Sequence, residues 1–405
     1  MTQWREIKLR NGEPLQAEQL IPAGVPASDD ALGLLLAHSN RVESAMKAVG
    51  ELLPSRKQLF QSGIMAAPMK LESWEGGEGN IRRWSDVLDG LSEDTNLWAT
   101  LHSALEKPGF KFGTLYTNGF EELKTLELVP LKRCANFLQI HSLADLKAAN
   151  TDRALLALLD LLEVCRRVEK EPLLIQQLVR LACLEMAYSC TWAGISSGQW
   201  KEPELFKLNG AWSQLNAVQA MERAVLMERA MFITQYHLLL SDRQRLIKHL
   251  DQMGEFESFL GLETDGAPVA ARWARSMQAT AWMGVWHSQD CVLALKRWDS
   301  IVSAVRSAST TSWLSIETNL PPDLREPSDH WIGMGMTPPM RGWTRFRFPI
   351  SSGAGFLHGS VIRRALHGDC LREFVLAGIA IHRSLRAGNP LPERIESLVP
   401  RWLPS

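Results

Sequence analysis

Apolar side chains recur at helical spacing along most of the chain, and the pattern is densest across residues 151–192. Leu155, Leu158, Leu159 and Leu162 follow the i, i+3, i+4, i+7 rule, which lays one broad apolar stripe along a helix. Asn150, Thr151 and Asp152 stand before it, residue types that accept the first free N–H groups of a helix. Lys170-Glu-Pro172 interrupts the pattern, and Pro172 suits the opening turn of a second helix, where its missing N–H costs nothing. That helix carries Leu174, Leu178, Leu181, Ala182, Glu185 and Met186 before Gly194 stops it. Together they predict a helical hairpin too apolar to stand in water alone, so other segments must cover it.

The same periodicity predicts a helix after Ser28, Asp29 and Asp30 that runs to Leu53, with Leu32, Leu35, Leu36, Val42, Met46 and Val49 toward a core. More helices are predicted at 82–91 and 95–106. Residues 120–193 hold no glycine and only Pro130 and Pro172, which argues for three or more consecutive helices. Others follow at 203–215, 217–239, 242–253, 269–286 and 289–307. Short connections favour antiparallel packing. Residues 1–27, punctuated by Pro14, Pro22 and Pro26, read as extended, and Glu75-Gly-Gly-Glu-Gly79 as a flexible loop. After Asn319 prolines and glycines crowd the chain, leaving 344–350 as the only plausible strand; a loop this long is functional or a linker. Helices return at 361–366 and 371–387, with a short one at 392–398. The predicted class is mainly α, an irregular array of antiparallel helices with a long Pro/Gly-rich loop near the C-terminus. Its segments are 1–119, 120–319 and 320–405, expected to pack as one unit.

Composition narrows this picture modestly. At 405 residues, 45% hydrophobic and 22% charged, the chain is of the globular kind. Its net charge of −1 makes no case for nucleic acid. The charge is uneven, however: residues 341–405 hold ten Arg, no Lys and four acids, a balance of +6 against −7 for the remainder. Arginines so placed can grip phosphates or carboxylates; alternatively their stems cover helix surface and their heads pair with the acidic remainder. No stretch has the ~18 uncharged apolar residues of a membrane span. None of the six cysteines forms a Cys-x-x-Cys pair, and Cys183 and Cys190 stand too far apart on one helix to bridge, so buried free thiols are expected.

Candidate chemistry is sparse. His287-Ser-Gln-Asp290-Cys291 and His367-Gly-Asp369-Cys370 each bring His, Asp and Cys together. His287 and Cys291 share a helix face at i, i+4 and could form a thiolate–imidazole pair or hold a metal. The competing reading makes Asp290 and Asp369 helix N-caps. Ser351-Ser-Gly353-Ala-Gly355-Phe-Leu-His-Gly359 could present N–H groups to an anion, or be a plain connection. Glu222, Arg223, Glu228 and Arg229, with Glu185 on the hairpin, read as structural ion pairs between helices, so replacing Glu228 by Gln should lower stability. Seven of the fifteen tryptophans fall within residues 273–343. Most suit a core, but Trp331 and Trp343 lie in the Pro/Gly loop, and with Arg341, Arg345 and Arg347 they form the expected contact surface.

Four stretches carry a resemblance: Asn11-Gly-Glu-Pro-Leu15 with Ile21-Pro-Ala-Gly-Val-Pro26, then Glu171-Pro-Leu-Leu-Ile-Gln-Gln-Leu-Val-Arg180, then Met227-Glu-Arg-Ala230, and residues 376–404. With these the chain resembles a family of uncharacterised bacterial envelope proteins, built from one N-terminal membrane helix and a helical domain outside the membrane. Met227 stands where the family has Gly. The last stretch is also similar to the head of secretion-type pseudopilins, with Leu391-Pro392 in place of aromatic-Pro. The resemblance implies a periplasmic or membrane-anchored address, with the anchor upstream of Met1; the sequence as it stands reads as soluble. It brings no activity and no cofactor.

The functional expectation is a non-catalytic structural or interaction domain of the bacterial envelope with a protein partner. The alternatives are a hydrolase-type enzyme with its site between the helical core and residues 320–360, and binding of an anionic ligand by the Arg-rich end. No catalytic, cofactor-binding or metal-ligating residue is assigned.

Overall fold

The computed structural model describes residues 2–50, 84–92, 96–114, 116, 119–120, 123, 125–259, 268–308, 310, 315–316, 318, 347–353 and 358–403. The fold is mainly α, as the periodicity predicts. Among the described residues there is no strand, only one isolated bridge between Asp30 and Gly109. The chain opens with α1 (Thr2–Arg10), α2 (Ala31–Ala37), α3 (Ser39–Gly50), α4 (Trp84–Ser92) and α5 (Leu97–Leu105). The centre is α6 (Leu128–Lys147), α7 (Thr151–Val168) and α8 (Leu174–Ser196). Next come α9 (Glu202–Ser213), α10 (Ala217–Ser241), α11 (Arg243–Phe259) and α12 (Pro268–Ala281). A π-helical turn, Trp282–Trp286, joins α12 to α13 (His287–Ser307), and α14 (Pro349–Gly353) and α15 (His358–Arg386) follow.

The predicted hairpin is α7 and α8. Leu155, Leu158, Leu161 and Leu162 of α7 are buried with Leu181 and Leu184 of α8, and Leu159 and Leu178 are half-buried against the same core. Helices α6, α15 and α10 supply the required cover, while α2, α3 and α4 lie on α6. A fully buried leucine contributes about 1.5–3 kcal/mol. Helix propensity differs among ordinary residues by at most about 0.7 kcal/mol. Burial by neighbours therefore holds the hairpin.

Several boundaries differ from the periodicity, each for a visible reason. The start of the segment predicted as extended is instead α1: Trp4 Nε1 donates to Asp299 of α13 at 2.7 Å, and Lys8 pairs with Glu13 and Asp299, so tertiary contacts hold a short helix. The helix predicted from 31 onward breaks at His38 into α2 and α3, which let it reach both α5 and α6. Gly194 does not end α8. The Trp200 indole packs on its bare Cα, where a methyl group would overlap the ring, and the helix runs on to Ser196. Gly198, at φ +69°, makes the turn that follows. The two helices predicted across 361–387 are the single helix α15. In the predicted strand 344–350, Pro349 and Ile350 open α14, while 344–346 lie outside the described residues.

Helix ends leave backbone N–H and C=O groups without partners, and here side chains from distant helices reach many of them. Arg180, buried on α8, donates through Nε to the Cys165 carbonyl at 3.0 Å, through Nη1 to Gln177 at 3.3 Å, and through Nη2 to Glu169 and the Asn216 carbonyl. Arg167, buried on α7, reaches the carbonyls of Leu105, Lys107 and Gly109 beyond the end of α5. Arg372 of α15 donates to the Leu215 carbonyl at 2.5 Å, and Asp369 accepts the Ala217 N–H that opens α10 at 2.8 Å. Arg383 lies over the Phe206 and Trp402 rings and pairs with Glu202, fastening the C-terminal tail to α9.

Removing Arg180 would strand Glu169 and two carbonyls, and breaking such a buried pair costs about 3–5 kcal/mol. Arg180→Met is expected to lose about 3 kcal/mol or more in urea unfolding. A smaller gain is expected at Ala149, an exposed residue at φ +61° after α6. Its left-handed backbone costs an L-residue about 1–2 kcal/mol, partly offset in Ala149→Gly by the freer unfolded chain. A net gain of about 0.5 kcal/mol in the same measurement is the expected result.

Candidate functional site

The first His-Asp-Cys motif meets side chains from elsewhere in the fold. The His287 Nδ1 is joined to the Tyr236 hydroxyl by a 2.7 Å hydrogen bond, and Trp282 packs edge-on against both rings. Cys291 is buried, and that burial, with Asp290 beside it, pushes its thiol up to about 12. It is therefore not a thiolate at neutral pH. Asp290 is not the N-cap of α13 but lies in its first turn, fully buried. It accepts from Trp282 Nε1 at 2.7 Å and from the amides of Ile350 and Ser351 at 3.0 and 2.7 Å. The Ser351 amide, which opens the stretch that could face an anion, thus donates to the protein's own Asp290. Asp369 likewise sits inside α15 and caps α10. His367 lies 4.0 Å from Glu185 on the surface of α8.

Of the expected contact surface, Trp331, Trp343, Arg341 and Arg345 lie outside the described residues, as does most of 320–360. Arg347 is placed: it lies over the Phe348 ring and its Nη2 donates to Gln289 at 2.8 Å. Further along the Arg-rich end, Arg372, Arg383 and Arg386 bind carbonyls and acids of the remaining chain.

The acids and arginines of α10 find partners elsewhere rather than each other. Fully buried Arg229 pairs with Glu13 at 2.7 Å and Asp299 at 3.4 Å and donates to the Pro14 carbonyl. Glu222 pairs with Arg306 at 2.7 Å, and Arg223 is exposed, reaching the Lys170 carbonyl. Burial would raise Glu13, but the hydrogen bonds from Arg229 and Lys8 hold its carboxyl below the usual value. Glu228 instead accepts the Leu174 N–H at the start of α8, at 3.3 Å, and its enclosure pushes it up to about 8. Close by, buried Glu171 accepts from Tyr116 and Gln176 and is pushed up to about 7 by desolvation.

A further cluster was not found by motif. Trp98 of α5 stacks on His102 with ring centroids 5.7 Å apart and lies 5.9 Å from His141 of α6. His102 Nδ1 is 2.9 and 3.0 Å from the two carboxylate oxygens of Asp160, and His141 Nδ1 is 3.1 Å from Asp145. Arg153 lies over the Trp98 ring and 3.7 Å from Asp145. Burial pushes Asp160 up to about 6, with Glu163 and Glu106 adding to the effect against the bond from His102. A carboxylate on Nδ1 fixes the tautomer and orientation of an imidazole. Two signals were open to reading: the i, i+4 spacings Trp98/His102 and His141/Asp145, and an acid, Asp160, within a run of leucines.

No family model, no curated protein and no solved structure matches the chain. No helix among the described residues is long and apolar enough to cross a membrane, and none of their His, Cys, Asp and Glu side chains form a group that could hold a metal ion.

The raised value of Glu228 reverses the expectation for its amide variant. A folded value of about 8 lies above the unfolded one of 4.5. The carboxyl's contribution to stability is therefore complete below the unfolded value and lost as pH rises through about 8. Glu228→Gln, which keeps an oxygen for the Leu174 N–H, should melt near wild type at about pH 4.5 and above it by pH 6. Between pH 6 and 9 its melting temperature should fall less than that of wild type.

Proposed function

We propose that the chain is a non-catalytic helical interaction module. The observation that carries this reading is an exposed apolar strip on α12 and the π-helical turn. Trp273 is 70% exposed, Met277 one turn on is 67% exposed, and Val285 is 67% exposed. The buried side of the same helix is supplied by Gln278 and Ala279, leading into buried Trp282. An indole left this open on a helix already packed by its other face suits a contact anchor, since tryptophan dominates interface energetics. Gln289, one turn beyond Val285, carries Arg347, so a polar rim borders the strip.

The chemistry of the interior supports the same reading. Its buried arginines bind carbonyls and acids of the chain itself, and Cys291 is held as a thiol. The bacterial-envelope address is part of the proposal on the strength of the family resemblance alone.

Affinity capture from an extract of the source cells, with wild type and Trp273→Ser/Met277→Ser side by side, tests the proposal. Wild type should retain a partner at least tenfold better than the variant, while thermal unfolding of the two agrees within a few degrees. Equal retention by two equally stable proteins would remove the strip from the argument.

A further inference from the structure

Outside the surface strip, one group of side chains brings titratable pairs together around a single ring. Trp98 and His102 are one turn apart on α5, and their partners lie on the two helices beneath: His141 and Asp145 on α6, Asp160 and Arg153 on α7. We propose that the His102–Asp160 and His141–Asp145 pairs, packed on the Trp98 indole, form a proton-controlled latch that fastens α5 to α6 and α7 in mild acid and loosens it as pH rises.

The geometry supplies three elements of such a latch. Both imidazoles direct Nδ1 at a carboxyl group, so the strength of each bond depends on where its protons sit. Both rings lie against the same indole, which attracts an imidazolium more strongly than a neutral ring. Asp160 is buried while the His102 ring is about one-third exposed, so the inner carboxyl is costly to leave charged and the outer ring can exchange protons with water.

The charged surroundings act in the same direction at Asp160. Glu163 on α7 and Glu106 just beyond α5 face it, and both favour its protonated form. At the other pair Arg153 supplies a positive charge to Asp145, and Asn150 donates to it at 3.3 Å. Helix α2, which also packs on α5, has no titratable residue within its span. The sign follows. The carboxyl of Asp160 in the folded chain, at about 6, lies above its unfolded value of 3.8. Asp160 therefore binds more protons in the folded than in the unfolded chain between those two values, and that contribution is lost as pH climbs through about 6.

Hydrogen exchange of the full chain, followed by mass spectrometry between pH 4.5 and 8 and corrected for intrinsic rates, reads the latch directly. Amides of α5 should lose about tenfold or more of their protection between pH 5 and 7.5, with those of α8 changing less. Asp160→Asn keeps an acceptor for His102 but cannot titrate, so its α5 protection should be nearly flat over that range. Should Asp160→Asn fail to fold by circular dichroism, Asp160→Leu, which likewise cannot titrate and suits the apolar surroundings, serves the same comparison. An α5 profile that keeps the wild-type slope in the folded variant, or protection that rises with pH in wild type, would overturn the proposal.

Discussion

The Arg180 guanidinium is the contact on which the architecture turns. A chain made almost wholly of helices must find partners for the free N–H and C=O groups at every helix end, and close packing keeps water from many of them. Arg180 answers this for three segments at once: it holds the Cys165 carbonyl near the end of α7, the Glu169 carboxylate in the following link, and the Asn216 carbonyl before α10. The Asn216 N–H in turn donates to Glu169, and Asp369 takes the next amide along. One buried cation thus sets where α10 begins relative to the hairpin, and through Asp369 it sets the height of α15 as well.

The same device recurs with different partners. Arg167 gathers the carbonyls that follow α5, Arg229 ties the N-terminal arm to α10 and α13, and Asp290 supplies the negative end for α14. These contacts sort the carboxyls into two groups. Glu13 and Glu163 meet arginine hydrogen bonds strong enough to outweigh burial, and both sit below their ordinary value. Asp160, Glu171, Glu228 and Asp290 meet imidazole, phenol, amide or backbone N–H donors, which are weaker compensation, and burial carries all four upward. Glu169 belongs with the second group despite Arg180, because its burial outweighs that charge and the nearby Asp369 adds to the upward push.

Legibility from sequence followed how local the cause was. The α7–α8 hairpin could be read because its evidence is the spacing of Leu155, Leu158, Leu162, Leu178 and Leu181 along two contiguous runs. Asp290 and Asp369 show the limit. Residue type marks both as caps, and both are caps, but each serves a helix 60 or 152 residues away in the chain, which adjacency cannot reveal. Gly194 was read as a stop because glycine at a helix end is common, whereas its role is to admit Trp200, a tertiary fact. The partners of the charged residues of α10 were not legible either. Glu228 and Arg229 are neighbours in sequence, yet successive residues on a helix point about 100° apart, so one meets the start of α8 and the other the N-terminal arm. The Trp98 cluster draws on residues 98 to 160, and only its two i, i+4 halves were open to inspection.

An interior that uses its charge on its own helix ends constrains where recognition can take place. Each buried arginine is committed to several acceptors at once, so recruiting it to an outside ligand would release carbonyls with no other partner, a cost of about 1–3 kcal/mol for each group. The surface bears no such cost. Trp273 and Met277 can be covered without disturbing any of these contacts, because α12 is fixed by other residues: Arg243 holds Ser276, and Arg275 holds Asp251 and the Leu250 carbonyl. The strip is therefore presented on a helix whose position is already determined, which lowers the ordering cost of a partner's arrival. The Trp98 latch lies at the opposite extreme. Its α5 is held to the centre by buried Leu97, Leu101 and Leu105 and by Arg167 on the Leu105 carbonyl, and the proposed latch adds to that hold an attachment that the solution can adjust.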